Sequence, residues 1–256
     1  MRRNDDDGRA SGRARRVALA SLSCGYAVLW VGGVARGWRG DFGAAGQGWL
    51  AALFLTLAGV IALVGARTRG ERLSLLTVAA LGFAAEVVGV HLGVPFGRYG
   101  YTEALGPKLF GVPPAVAFAW MTLAAYVKQS VARLGLAPLA ETFVAAAWLT
   151  ALDLLIDPLA VNQLGYWHWD VEGRYYGVPV TNFAGWMVVS LLFFGILRRR
   201  FERSLPARLT GASIVLFFTL LALGFHSRLV ALLGCALLLV DGLTWVPKRR
   251  ADHESF

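Results

Sequence analysis

The feature that most restricts this chain is a succession of apolar windows, each about 20 residues long, the length a helix needs to cross a bilayer. They run over roughly 17–35, 49–66, 73–94, 112–131, 138–159, 182–197, 209–225 and 229–246. The windows are apolar on every face, whereas a transmembrane β-barrel would alternate apolar and polar residues. Hydrophobic residues make up 57% of the chain and charged residues only 16%, well below the share in soluble domains. The sequence predicts an all-α, polytopic transmembrane helical bundle of about eight spans. Its expected parts are a polar tail over 1–16, a helical domain over 17–247 and a second tail over 248–256. The first apolar run ends in Trp30-Val-Gly-Gly-Val-Ala-Arg36, a poor cleavage site, so it reads as a span rather than a signal peptide. No internal repeat stands out.

The net charge of +9 would suit a nucleic-acid binder, but its distribution follows the positive-inside rule instead. With the N-terminus placed in the cytoplasm, nineteen of the 25 Lys and Arg fall on the inner side. Arg36, Arg39, Arg98, Lys108, Arg174 and Arg228 fall outside. The asymmetry predicts both termini in the cytoplasm and no nucleic-acid partner, and Arg198-Arg-Arg200 reads as a cytoplasmic anchor. Cys24 and Cys235 lie inside apolar spans and read as small core residues. Neither HExxH nor paired CxxC occurs, so no metal site is expected.

Two stretches break the apolar pattern. One is Gly93-Val-Pro-Phe-Gly-Arg-Tyr-Gly-Tyr101, leading into Leu109-Phe-Gly-Val-Pro-Pro114. The other is Asp153-Leu-Leu-Ile-Asp157-Pro158, followed by Trp167-His-Trp169, Tyr175-Tyr-Gly-Val-Pro179 and Asn182-Phe-Ala-Gly-Trp186. Both loops fall on the outer side. Glu86 then lies near mid-bilayer, Asp153 about 7 Å above it at about 1.5 Å per residue, and Asp157 one turn higher. Asn182 and Trp186 fall in the same layer. The expected site is a pocket at that depth, roofed by the two aromatic loops.

Asp153 and Asp157 are four apart and share a helix face. Two carboxyls in a low dielectric cannot both ionise cheaply, so one is expected to keep its proton and serve as a general acid. A helix cap, or a bond to a loop amide or to Arg98, is the bland alternative. Glu86 sits among Ala84, Ala85, Val87 and Val88 and must find a partner inside the bundle. It is a candidate second acid or water-holding group, and otherwise a structural hydrogen-bond acceptor. Phe96, Tyr99, Tyr101, Trp120, Trp167, Trp169, Tyr176 and Trp186 are candidate lining residues, because ring faces attract cations; an interfacial aromatic belt is the alternative. His91 and Asn182 complete the candidate binding set, although His91 points to a different side of its helix from Glu86. Gly89-x-x-x-Gly93 reads as a helix-packing pattern, Pro113 and Pro114 open the fourth span, Pro158 closes the helix behind the aspartates, and Asp241 reads as interfacial.

Together the Glu86 helix, Pro95-Phe-Gly-Arg-Tyr-Gly-Tyr101, Phe110-Gly-Val-Pro113 with Trp120, Asp153 through Pro158, Trp167-His-Trp169, Tyr176-Gly-Val-Pro179, Asn182 and Gly185-Trp186 resemble the carotenoid biosynthesis membrane proteins typified by the CruF-type carotenoid hydratases. The resemblance is dense over 85–200 and otherwise confined to hydropathy. It implies addition of water across the terminal double bond of an acyclic carotenoid end, of γ-carotene, lycopene or C50 type, to give a tertiary alcohol. It also implies no cofactor, a prokaryotic plasma-membrane location in contact with lipid, and other carotenoid-pathway enzymes as candidate partners. The roles assigned to Asp153, Asp157 and Glu86 come from the residues themselves.

Two rival functions carry their own signatures. Asp153-x-x-x-Asp157 has the spacing of an aspartate pair in an intramembrane prenyltransferase or lycopene elongase, yet no second acidic motif and no basic cluster for a diphosphate accompanies it. A small membrane transporter would use intramembrane carboxyls as a proton relay, but paired broken helices are missing from the sequence.

Overall fold

The computed structural model describes residues 2–41, 48–196 and 204–245, with side chains from Gly12 onward in the first helix. The 248–256 tail and Arg198-Arg-Arg200 lie outside the described residues. Among the described residues eight α-helices follow one another: α1 Arg2–Arg39, α2 Gly48–Gly65, α3 Arg69–Leu92, α4 Ala115–Val131, α5 Pro138–Asn162, α6 Val180–Ile196, α7 Leu205–Gly224 and α8 Arg228–Leu243. Two three-residue strands, β1 Tyr99–Tyr101 and β2 Trp167–Trp169, lie in the long loops after α3 and α5. The all-α bundle expected from hydropathy is the observed fold. Among the described residues five helices are long and apolar enough to cross a membrane: 12–39, 48–65, 69–92, 138–162 and 205–224. Helix α1 begins at Arg2 and runs on through the segment read as a polar tail.

α4 lies at the centre of the bundle, packed against α2, α3, α5 and α7, and its residues from Trp120 to Val131 are buried without interruption. α5 pairs with α6, and α7 with α8. β1 and β2 pair antiparallel with Gly100 opposite His168, so the two loops form one roof over one end of the bundle.

The structure shows a repeated motif, although hydropathy alone reveals none. Helix, strand, Gly-Val-Pro turn and helix occur twice, as α3-β1-α4 and α5-β2-α6. Phe110-Gly111 and Tyr176-Gly177 both take positive φ (51° and 80°; 51° and 84°), as a two-residue type I′ turn requires. The turns close through Val112 N–H to the Leu109 carbonyl at 3.1 Å and Val178 N–H to the Tyr175 carbonyl at 2.8 Å. A tryptophan stands at the same distance beyond each proline, and the two, Trp120 and Trp186, stack with centroids 4.0 Å apart and planes 12° apart.

Other expectations need correction. Pro158 does not close its helix; α5 continues to Asn162. A proline inside a helix leaves the carbonyl four residues earlier without its partner. That carbonyl, on Leu154, instead accepts a bond from the Tyr175 hydroxyl at 3.0 Å. Cys24 and Cys235 are exposed rather than core, on outward faces of α1 and α8. The Gly89/Gly93 pair does not join helices: Gly89 lies under Phe96 and Tyr99 of the first loop, and Gly93 is the left-handed cap of α3.

Asp241 is buried rather than interfacial. At the end of the bundle opposite the roof it accepts Arg208 Nη2 at 2.9 Å and Ser130 Oγ at 2.6 Å, and Arg208 lies over the Trp245 ring. Removing one partner of a buried pair strands the other charge. Asp241→Ala is therefore expected to lower stability by about 3–5 kcal/mol, read from thermal unfolding of detergent-solubilised protein. Replacing both Arg208 and Asp241 by apolar residues should recover most of that loss.

Candidate active site

The site begins with α3. Gly82 and Gly89 flank Glu86 on one helix face, and a Cβ at Gly82 would stand 2.4 Å from Trp120 Cγ, one at Gly89 2.8 Å from the Tyr99 hydroxyl. The missing side chains let an indole from α4 and a phenol from β1 lie directly against α3. Glu86, 5% exposed, accepts Tyr99 Oη at 2.5 Å and Tyr101 Oη at 2.9 Å on Oε2, and Trp120 Nε1 at 2.9 Å on Oε1. All three neighbours are donors, so the carboxyl is held as an acceptor. Burial and the nearby Glu86 charge push both phenols well above the usual tyrosine range, and Tyr99 and Tyr101 stay protonated.

α5 supplies the second acid group. Asp153 and Asp157, each 3% exposed, turn the same way from consecutive turns. Asn182, in the first turn of α6, donates from Nδ2 to Asp153 Oδ2 at 2.6 Å and to Asp157 Oδ2 at 2.7 Å. Its two N–H groups are both spent on this bridge, which fixes the carboxyls side by side.

These groups share one cavity of about 690 Å³. Its walls include Glu86, Asp153, Asp157 and Asn182, together with Phe96, Tyr99 and Tyr101 from the first loop. Trp120, Trp167, Trp169 and Trp186 complete the aromatic part. Strand alternation explains the roof: Trp167 and Trp169 turn inward, while His168 between them is exposed. Two candidates are not brought in. His91 is exposed on the far side of α3, five residues from Glu86 and so well around the helix. Tyr176 is held by its positive-φ turn outside the cavity, edge-on to Tyr175.

The sequence reading missed the far wall. Phe54 of α2, Phe217 and Phe218 of α7, and a stripe of α1 also line the cavity. They are apolar residues in apolar helices, with nothing in their pattern to separate a lining position from an ordinary packed one. Tyr166 lines it too, and burial pushes its phenol up.

The chain matches a family described as carotenoid biosynthesis protein over residues 47–245. It is 34% identical over 207 residues to bisanhydrobacterioruberin hydratase of Haloarcula japonica, an overlap covering 75% of this chain and 68% of that protein. No solved structure matches.

Proposed function

We propose that this chain, which belongs to the carotenoid biosynthesis protein family, is a membrane-embedded hydratase that adds water across the terminal carbon–carbon double bond of an acyclic carotenoid end group. The observation carrying the reading is the convergence of Asp153, Asp157 and Glu86 on one cavity whose other walls are largely aromatic and aliphatic. The name of the similar hydratase supports the same reaction class.

A trisubstituted alkene is a feeble base and needs a strong acid in a dry site. In the proposed reaction the protonated member of the Asp153/Asp157 pair gives its proton to the less substituted alkene carbon. The π pair forms the new C–H bond and leaves a tertiary cation. The faces of Trp120 and Trp186 and the negative charge of Glu86 stabilise that cation. A water oxygen then forms the C–O bond, and its surplus proton returns to the ionised aspartate. The sum is one added water and a tertiary alcohol, with no change of oxidation state.

Natural substrates of γ-carotene, lycopene and C50 type all present such an end. A substrate this insoluble in water supports a place in the prokaryotic cell membrane, and the charge asymmetry supports cytoplasmic termini. The prenyltransferase alternative is disfavoured by Asn182, whose N–H groups stand between the carboxyls where a cation would sit. Expression in a lycopene-accumulating bacterium should yield pigments heavier by one or two waters, resolved by chromatography with mass detection. Unaltered lycopene, γ-carotene and C50 pigments, with the protein present in the membrane, would remove the hydratase reading.

A further inference from the structure

The cavity extends well past the acid cluster. On α1 its lining residues are Val28, Leu29, Gly32, Gly33 and Arg36, one helical stripe about 12 Å long at about 1.5 Å per residue. Ala51 and Phe54 of α2 and Phe217 of α7 face this stripe. The arm is apolar between its ends. Glu86, Asp153 and Asp157 line the same cavity, as do Arg36 and Glu103.

Two residues of the stripe also belong to the outer surface of the bundle: Val28 is 67% exposed, and Gly32 is exposed as well. A residue that both lines a cavity and faces the membrane marks a sideways opening. The opening lies toward α2. Gly25, seven residues before Gly32 and so on the same face, would place a Cβ 3.7 Å from Leu57 of α2. The two adjacent glycines differ sharply. A Cβ at Gly33 would stand 2.7 Å from the Phe217 ring, whereas one at Gly32 would meet nothing within 4 Å.

We propose that the slot between α1 and α2 at Val28 and Gly32 is a lateral opening through which a long apolar polyene passes from the bilayer, lying along the arm with its tip at Asp153 and Asp157. The proposal rests on the hydratase reading and adds to it an access route and a residue, Gly32, whose lack of a side chain keeps that route open. A slot facing hydrocarbon selects for a hydrocarbon chain, because a polar substrate would have to shed its water to cross it.

Gly32→Phe tests this, with Val28→Phe as a second variant and Leu232→Phe, on the exposed face of α8 and outside the cavity, as control. None alters the number of tryptophans. The probe is phytofluene, an acyclic carotene whose absorption overlaps tryptophan emission, presented in phosphatidylcholine vesicles holding the full chain. Energy transfer from the cavity tryptophans reports uptake, and a parallel assay follows lycopene hydration. Gly32→Phe should slow both on the order of tenfold, because a ring there fills the open space that a bare glycine leaves for the chain; Leu232→Phe should slow neither. Unchanged energy transfer in both slot variants overturns the lateral opening, even if hydration continues. Uptake by the wild type that Gly32→Phe abolishes, with no lycopene hydrated by either, keeps the opening and removes the hydratase reading.

Discussion

Asp153→Asn and Asp157→Asn should each lower the rate of carotenoid hydration by a factor on the order of a hundred or more, with little change in the amount of folded protein. The replacement is nearly isosteric. An asparagine at either position still offers an oxygen to Asn182 and turns its amide toward the remaining carboxylate, so the bridge at 2.6 and 2.7 Å keeps its donors and acceptors matched. Stability should therefore shift by no more than about 1 kcal/mol, the net worth of a typical hydrogen bond. What is lost is the shared proton. Two carboxyls held against one amide behave as a unit, and the pair rather than either residue binds and releases the proton. Both variants should fail to a similar extent for that reason, because an asparagine at either position puts an amide where the carboxyl that shares the proton stood. The measurement is the initial rate of alcohol formation in membranes, normalised to folded protein. Either variant keeping more than half of the wild-type rate would show that the pair serves architecture and not proton transfer.

The same residues show how far a sequence carries such an argument. Glu86, Asp153, Asp157 and Asn182 were legible because polar groups in apolar spans must converge on something, and the loop aromatics were legible by their density. Their partners were not. That Asn182 bridges the aspartates depends on how α5 lies against α6, and no residue pattern states that contact. The glycines around Glu86 carry a usable signal, but in Gly82 and Gly89 rather than in the Gly89/Gly93 spacing: Gly82 and Gly89 open the face that Trp120 and Tyr99 fill, while Gly93 only caps the helix. The doubled Gly-Val-Pro turn was also present in the letters, hidden because the helices around it share hydropathy but few identities. Asp241 misled for a different reason. Nearness to a helix end suggested water, and burial beneath Arg208 and Trp245 is a tertiary fact.

Glu86→Gln should reduce hydration on the order of a hundredfold, about 2.7 kcal/mol of lost transition-state stabilisation, and Glu86→Leu should in addition destabilise the fold. The distinction follows from the donors. Tyr99, Tyr101 and Trp120 aim three hydrogens at this one carboxyl. A glutamine can keep its oxygen on Trp120 Nε1, which only donates, and turn its amide to the two phenols, whose hydroxyls can accept as well as donate. The scaffold survives and only the charge disappears. A leucine leaves all three donors buried without an acceptor, at about 1–3 kcal/mol each. Thermal unfolding followed by tryptophan fluorescence, alongside the hydration rate, separates the two roles. If Glu86 only tied the roof to α3, Gln would be as active as the wild type and Leu would lose stability alone. If its charge faces the forming cation, Gln loses rate without losing stability. The bonds that Tyr99, Tyr101 and Trp120 donate to this one carboxyl favour the second outcome, because three donors aimed at a carboxyl favour its ionised form and hold it in place before the alkene is protonated.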